Sequence, residues 1–124
     1  MVLITGGVYQ GKEEFAREHF QIRSGADGNR AEINVLYQAD LIRDFHLWIA
    51  GELRAGRDPW KGTEEILEKN PDVVITVAEL GCGIVPADAF DRNWREVTGR
   101  ICCLLAKKAR AVYRVTCGIG TKLV

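Results

Sequence analysis

The first twelve residues constrain the fold most, because a short apolar run leads directly into a glycine-rich loop and then into a helical pattern. Residues 1–5 are apolar and β-prone, and residues 6–12 have the spacing G-x-x-x-x-G-K. Glycines at these positions let the backbone curl so that several N–H groups point at an anion, and the positive end of the following helix adds to the attraction. This order of strand, loop and helix predicts a phosphate-binding loop. The alternative is a glycine turn with a surface lysine.

The predicted phosphate loop, residues 6–12, indicates a nucleotide site in which Lys12 reaches the outer phosphates. Glu13 follows the lysine, where this motif has a serine or threonine whose hydroxyl binds Mg²⁺. A carboxylate can also bind Mg²⁺, but it places a negative charge in the first helical turn, close to the phosphates. The predicted nucleotide-binding residues are Gly6, Gly7, Val8, Tyr9, Gln10, Gly11, Lys12 and Glu13.

Apolar runs alternate with helical patterns along the rest of the chain. Strands are expected at residues 33–37, 72–78 and 111–116, and helices at residues 11–22, 41–53, 62–69 and 88–110. Asp40 is a candidate N-cap of the second helix, and residues 118–120 suggest a turn. Strands that are apolar on both faces favour a parallel sheet covered by helices. We therefore expect a single α/β domain over residues 1–124, a mostly parallel sheet with helices on both faces, as in P-loop NTPases.

Charge and composition exclude several classes of protein. The chain has 124 residues with 17 basic and 17 acidic side chains, so it lacks the positive field of a nucleic-acid-binding protein. Its apolar runs are shorter than a membrane span or a signal-peptide core. The four cysteines lack the two-residue gap of a zinc or redox motif. We expect a cytoplasmic protein without a structural metal or disulfide.

Glu79 ends the most apolar strand, at the edge of the sheet where ligands bind in parallel folds. Two interpretations of this carboxylate remain open. It either binds Mg²⁺ through water or accepts a hydrogen bond from a substrate hydroxyl, or it caps the backbone N–H groups of Gly81 and Gly83.

The segment around this strand is distinctive, since residues 74–80 are followed by the string Gly-x-Gly-Ile-Val-Pro at residues 81–86. With the phosphate loop ahead of it, the chain resembles the bifunctional adenosylcobinamide kinase / adenosylcobinamide-phosphate guanylyltransferase family of cobalamin biosynthesis. The resemblance continues through Trp94 and Gly99 to Gly118. It implies GTP or ATP and Mg²⁺ as cofactors, and phosphoryl transfer to a hydroxyl of cobinamide, with Lys12 and Glu79 as catalytic residues.

The middle of the chain departs from the family pattern. The segment that carries the guanylylated histidine is missing, so guanylyl transfer is not expected. Residues 33–37 match the family's next strand, whose terminal aspartate then falls on Gln38, with Asp40 close by. Glu13 and Asp40 are therefore the candidate metal ligands. His19 and His46 lie in helical patterns outside any matching motif and are interpreted as packed or solvated side chains; the alternative for His46 is a pH-sensitive or nucleophilic group.

Three hypotheses follow from these residues. The first is a kinase-type enzyme that acts on cobinamide. The second is a shortened binding module that holds a nucleotide or a corrinoid without chemistry, which the altered positions Glu13 and Gln38 favour. The third is a subunit or scaffold whose loop binds nothing. A homo-oligomer is compatible with all three.

Overall fold

A six-stranded sheet forms the centre of the protein in the computed structural model, which describes residues 1–80 and 88–124. The strands are β1 (Val2–Gly6), β2 (Gly25–Asp27), β3 (Leu41–Arg43), β4 (Val74–Ala78), β5 (Ala111–Thr116) and β6 (Ile119–Lys122). Their order is β2-β3-β4-β1-β5-β6. Neighbouring strands are parallel except for the antiparallel pair of β5 and β6. The carboxyl ends of β1, β3 and β4 therefore meet at one edge of the sheet.

Helices cover both faces of this sheet, because the apolar side chains of each strand alternate between two clusters. On one face, Phe15 and Ala16 pack on Ile4 and Val115. The opposite face is covered by the remaining helices. The helices are α1 (Lys12–His19), α2 (Ile33–Leu36), α3 (Phe45–Arg54), α4 (Pro59–Lys69) and α5 (Ala89–Lys108). The expected α/β fold with a mostly parallel sheet is confirmed.

The central strands explain the most apolar runs of the sequence. All five residues of β4 are buried, and β4 pairs in register with β1 from Val2 opposite Val74 to Gly6 opposite Ala78. A strand with neighbours on both sides and helices on both faces has no exposed side, so its sequence is continuously apolar. Among the described residues, no helix is both long enough and apolar enough to cross a membrane.

The strand expected at residues 33–37 is wrong, because this segment forms the short helix α2. Ile33 and Val35 are 37% and 49% exposed, and only Leu36 of this helix is buried. The second strand of the chain is instead β2. Its Ala26 is 3% exposed and lies at the sheet edge beside β3.

The helix expected at residues 41–53 begins later than its pattern suggested. Leu41 and Ile42 belong to β3 and are fully buried, one on each side of the sheet. Asp40 is therefore not an N-cap. Asp44 occupies that position, with a left-handed backbone (φ 56°) and no side-chain cap hydrogen bond. The turn expected at residues 118–120 lies instead at Cys117 and Gly118, because Ile119 and Gly120 already belong to β6, which folds back on β5.

Candidate functional site

The phosphate loop connects the carboxyl end of β1 to the start of α1, and two of its glycines are required by their surroundings. Gly6 has φ 155°, and a Cβ atom there would overlap the carbonyl oxygen of Val115 in β5. Gly11 precedes α1 with φ 87°, and its Cβ would lie 3.2 Å from the Cα of Gly118. Both positions combine a positive φ with close backbone contact, which excludes larger residues without a shift of the chain.

Lys12 turns its ammonium group back over the loop. Its Nζ donates a hydrogen bond to the carbonyl oxygen of Gly7 at 2.7 Å, and the residue is only 8% exposed. Burial lowers the pKa of Lys12, because it disfavours the charged form, while the negative charges of Asp44 and Glu79 act in the opposite direction. The loop therefore contains a partly desolvated cation at the N-terminus of α1.

Glu13 forms ion pairs with two arginines. Its Oε1 lies 3.4 Å from Nη1 of Arg43, the last residue of β3, and 3.8 Å from Nη2 of Arg17, one helical turn away. Arg43 also approaches Asp27 of β2, with 3.7 Å between Nη2 and Oδ2. The carboxylate next to the phosphate loop is thus part of an ion-pair cluster that joins α1, β2 and β3.

A cavity of about 180 Å³ opens beside the loop. The amide of Asp44 donates to the hydroxyl oxygen of Thr76 at 3.1 Å, which ties the end of β3 to the middle of β4 at the wall of this cavity. Five of the eight predicted nucleotide-binding residues contribute to the lining. The lining residues are Tyr9, Gln10, Gly11, Lys12, Glu13, Glu14, Arg43, Asp44 and Thr76.

The structure does not bring Asp40 together with Glu13, although both are predicted metal ligands. Asp40 precedes β3 and therefore lies at the opposite edge of the sheet from the phosphate loop. Its Oδ2 accepts hydrogen bonds from the amides of Arg23 at 2.8 Å and Ser24 at 3.3 Å. The carboxylate that follows this strand at the loop edge is Asp44. In the sequence, the position of Asp44 is indicated by two apolar residues, Leu41 and Ile42, directly before the charged dipeptide that ends in Asp44.

Glu79 forms a bidentate ion pair with Arg114 of β5, at 2.9 and 3.2 Å from Nε and Nη2. Its amide donates to the carbonyl oxygen of Gly6 at 3.0 Å, which fixes the end of β4 against the phosphate loop. The predicted capping of Gly81 and Gly83, and the rest of the segment up to Pro86, lie outside the described residues.

Gln10 connects the phosphate loop to the turn between β5 and β6. Its side-chain oxygen accepts from the amide of Cys117 at 2.7 Å, and its carbonyl oxygen accepts from the amide of Gly118 at 2.8 Å. Because both bonds reach the backbone of the same turn, the turn supports the loop from behind.

The two histidines have structural contacts. His46 is 6% exposed, its Nδ1 accepts from the amide of Ala78 at 3.2 Å, and its carbonyl oxygen accepts from Nε1 of Trp94 at 2.8 Å. Burial lowers the pKa of His46. The ring of His19 stacks on Phe15, with 4.1 Å between centroids. Both rings are therefore held by packing.

A second, larger cavity of about 940 Å³ lies between α3, α4 and the segment that follows β2. The amide of Gly28, in its lining, donates to the carbonyl oxygen of Arg43 at 2.8 Å, so this cavity borders the end of β3. The lining residues are Gly28, Asn29, Arg30, Ala31, Glu32, Ile33, Tyr37, Trp48, Gly51, Glu52, Arg57, Asp58, Lys61, Gly62 and Glu65.

Comparison with known proteins relates the chain to one family. A family model described as cobinamide kinase / cobinamide phosphate guanyltransferase matches residues 37–123, more than half of the chain. The chain is 41% identical over 51 residues to the bifunctional adenosylcobalamin biosynthesis protein CobU of Escherichia coli K12, and equally to the protein of that name from Salmonella typhimurium LT2. These matches cover 41% of this chain and 28% of each relative. The phosphate loop precedes the residues that the family model matches, so its interpretation rests on motif and geometry.

Proposed function

The chain belongs to the cobinamide kinase / cobinamide phosphate guanyltransferase family, and we propose that it binds a nucleoside triphosphate at the phosphate loop and transfers the outer phosphoryl group to cobinamide. The observation that carries this proposal is the position of Lys12. Lys12 is buried at the N-terminus of α1, and it shares one cavity with the end of β3 and with Thr76 of β4. Phosphoryl transfer depends mainly on positioning and on stabilising negative charge, which this arrangement supplies.

The loop amides and Lys12 would hold the phosphates. When a phosphate oxygen enters, the ammonium group exchanges its hydrogen bond to Gly7 for a charge-assisted bond to the phosphate, which is stronger. Glu79 stays a predicted catalytic residue. The negative charge of Glu79 favours the protonated form of Lys12, and the carboxylate is held in place by Arg114. We therefore propose that Glu79 acts by keeping Lys12 charged.

The larger cavity is the proposed position of the acceptor, cobinamide. It borders the end of β3 through Gly28, while the same strand end forms a wall of the phosphate cavity. Tyr37 and Trp48 contribute aromatic surface to it, and its charged lining residues of both signs can bind polar groups of the acceptor. Asp44 lines the phosphate cavity, and its backbone lies beside Gly28 of the larger cavity. A carboxylate at this position can accept the proton of an attacking hydroxyl.

Guanylyl transfer is not part of the proposed activity. A covalent nucleotidyl intermediate needs an accessible nucleophile beside the nucleotide. His46 is buried and its Nδ1 accepts from the amide of Ala78, whereas the exposed His19 lies at the end of α1 that is farther from the phosphate loop. Incubation with GTP labelled at the α-phosphate should therefore leave no acid-labile label on the protein. Label that is lost in His46→Ala would contradict this expectation.

The proposal is tested by phosphoryl transfer from γ-labelled GTP or ATP to cobinamide, with the full chain, Lys12→Met and the exposed control Lys122→Met. We expect labelled cobinamide phosphate with the wild type and with Lys122→Met, and loss of the product with Lys12→Met. Nucleotide binding without transfer would favour the non-catalytic binding module. Absence of nucleotide binding would favour the scaffold hypothesis.

Two further proposals concern assembly and compartment. The edge strand β6 leaves its outer side without a neighbouring strand among the described residues, and its Ile119 is 72% exposed. Such an edge favours pairing with a second copy, so we propose a homo-oligomer, which light scattering after gel filtration can test.

We propose the cytoplasm as the compartment of the protein, since the three described cysteines are free thiols and disulfides are rare in the cytoplasm.

A further inference from the structure

Of the two positions that usually bind Mg²⁺ in phosphate-loop proteins, the first carries a glutamate here, and the second has an arginine directly before its aspartate. One is the residue after the loop lysine, normally Ser or Thr, and the other is an aspartate. The resemblance places that aspartate at the end of the strand before α3. This strand is β3, so its end is Arg43 and Asp44 rather than Gln38. The residue after the lysine is Glu13, and its carboxylate pairs with Arg43.

We infer that Arg43, held by Glu13, replaces the divalent cation, so that this site binds nucleotide phosphates without Mg²⁺. The inference rests on the proposed function, because it assumes that the phosphate loop binds a nucleotide. It explains why a carboxylate is present beside a phosphate site: Glu13 fixes the arginine instead of repelling the ligand.

Magnesium fits poorly at Glu13. The ion requires an octahedron of oxygen ligands, yet the Oε1 atom faces guanidinium groups at 3.4 and 3.8 Å. A second cation would be repelled at such distances. Within residues 1–80 and 88–124, no group of three His, Cys, Asp or Glu side chains is arranged to hold a metal ion.

Arg43 has the donors to contact a phosphate. Its side chain is 39% exposed and lines the same cavity as Lys12. Its contacts to Glu13 and Asp27 are long, at 3.4 and 3.7 Å, and each engages one terminal nitrogen. A guanidinium carries five N–H donors in a planar fork that matches two phosphate oxygens. Each terminal nitrogen carries two N–H groups, so Arg43 can bind phosphate oxygens through the remaining N–H groups while one N–H of each nitrogen faces a carboxylate.

Asp44 offers the competing interpretation. It lines the cavity beside Lys12, and one carboxylate together with phosphate oxygens and water is enough for some magnesium sites. If Asp44 held Mg²⁺ in this way, nucleotide affinity would depend on the metal and hardly on Arg43.

Calorimetric titration of the full chain with GTP and with ATP, in excess EDTA and in excess Mg²⁺, separates these cases. We expect the dissociation constant to differ by less than about threefold between the two media, and Arg43→Met to weaken binding at least about tenfold in EDTA. Arg100→Met is the matched control, because Arg100 also pairs with a glutamate, at 2.7 Å, but on the exposed surface of α5. This control should leave affinity unchanged.

The double variant Glu13→Ser/Arg43→Met has the usual hydroxyl after the loop lysine, lacks the guanidinium and keeps Asp44 as the aspartate. It should bind nucleotide at least about tenfold more tightly in Mg²⁺ than in EDTA. Binding of the wild type only in Mg²⁺, with Arg43→Met unaffected, would overturn the inference and leave the proposed function standing. Absence of binding by the wild type in both media would overturn the proposed function, and the inference with it.

Discussion

Replacement of Lys12 by methionine removes one buried charge from the phosphate loop while keeping an unbranched side chain of similar length. Lys12 is 8% exposed, and its ammonium group is already held at the loop by a 2.7 Å hydrogen bond to Gly7, which it exchanges for the phosphate. A charge-assisted hydrogen bond contributes about 1.5–3 kcal/mol. The affinity for GTP should therefore fall by about 10- to 150-fold.

The pH dependence of binding provides a second signature of Lys12. Burial lowers the pKa of this lysine in the free protein, and a bound phosphate raises it, because it stabilises the charged form. Affinity should thus be full below the pKa of the free protein and decrease as the pH rises through it. The Lys12→Met protein should lack this decrease.

Isothermal titration calorimetry over a range of pH measures both effects, with Lys122→Met as the control for loss of an exposed lysine. Chemical denaturation of each variant shows whether the fold is retained. An unchanged GTP affinity in a folded Lys12→Met protein would refute the role of Lys12 in phosphate binding.

Three other changes test the fold and the second cavity. Gly6→Ala should lower the free energy of unfolding by about 3 kcal/mol or more, measured by urea denaturation, because its Cβ would overlap a carbonyl oxygen of β5 at a positive φ. The free energy of unfolding should decrease as the pH falls below 6.5, because burial lowers the pKa of His46 in the folded protein, so the unfolded chain binds the proton more tightly. The variant His46→Asn should lose this part of the pH dependence. Gly51→Leu should fill the larger cavity and weaken cobinamide binding at least about tenfold, whereas Gly99→Leu, also at an open helical position, should not.

The strands of the sheet centre were predictable because burial on both faces leaves a signal in the sequence itself. Expected strands at residues 72–78 and 111–116 correspond to β4 and β5, whose bounds differ by at most two residues from the expectation. The segment from residue 25 to residue 43 was not predictable in this way. Its strands have three residues each, too few for a periodic pattern, and the identity of β2 depends on pairing with β3.

The residues of the candidate site could also be predicted only where they are close together in the sequence. The position of Lys12 and the closeness of Glu13 follow from one continuous motif. The partners of the two carboxylates do not, because Arg43 is 30 residues from Glu13 and Arg114 is 35 residues from Glu79 in the chain. Only the strand order brings these pairs together. The position of Asp44 at the site likewise depends on β3, which ends directly before it.

Backbone amide NMR of the full chain during titration with GTP is the most direct measurement of whether the phosphate loop is the nucleotide site. We expect the largest chemical-shift changes at the amides of Gly7, Gly11 and Lys12, with further changes at Arg43 and Asp44 on the facing strand end. Changes confined to the larger cavity between α3 and α4, or no saturable changes at all, would contradict the assignment of the phosphate loop as the nucleotide site.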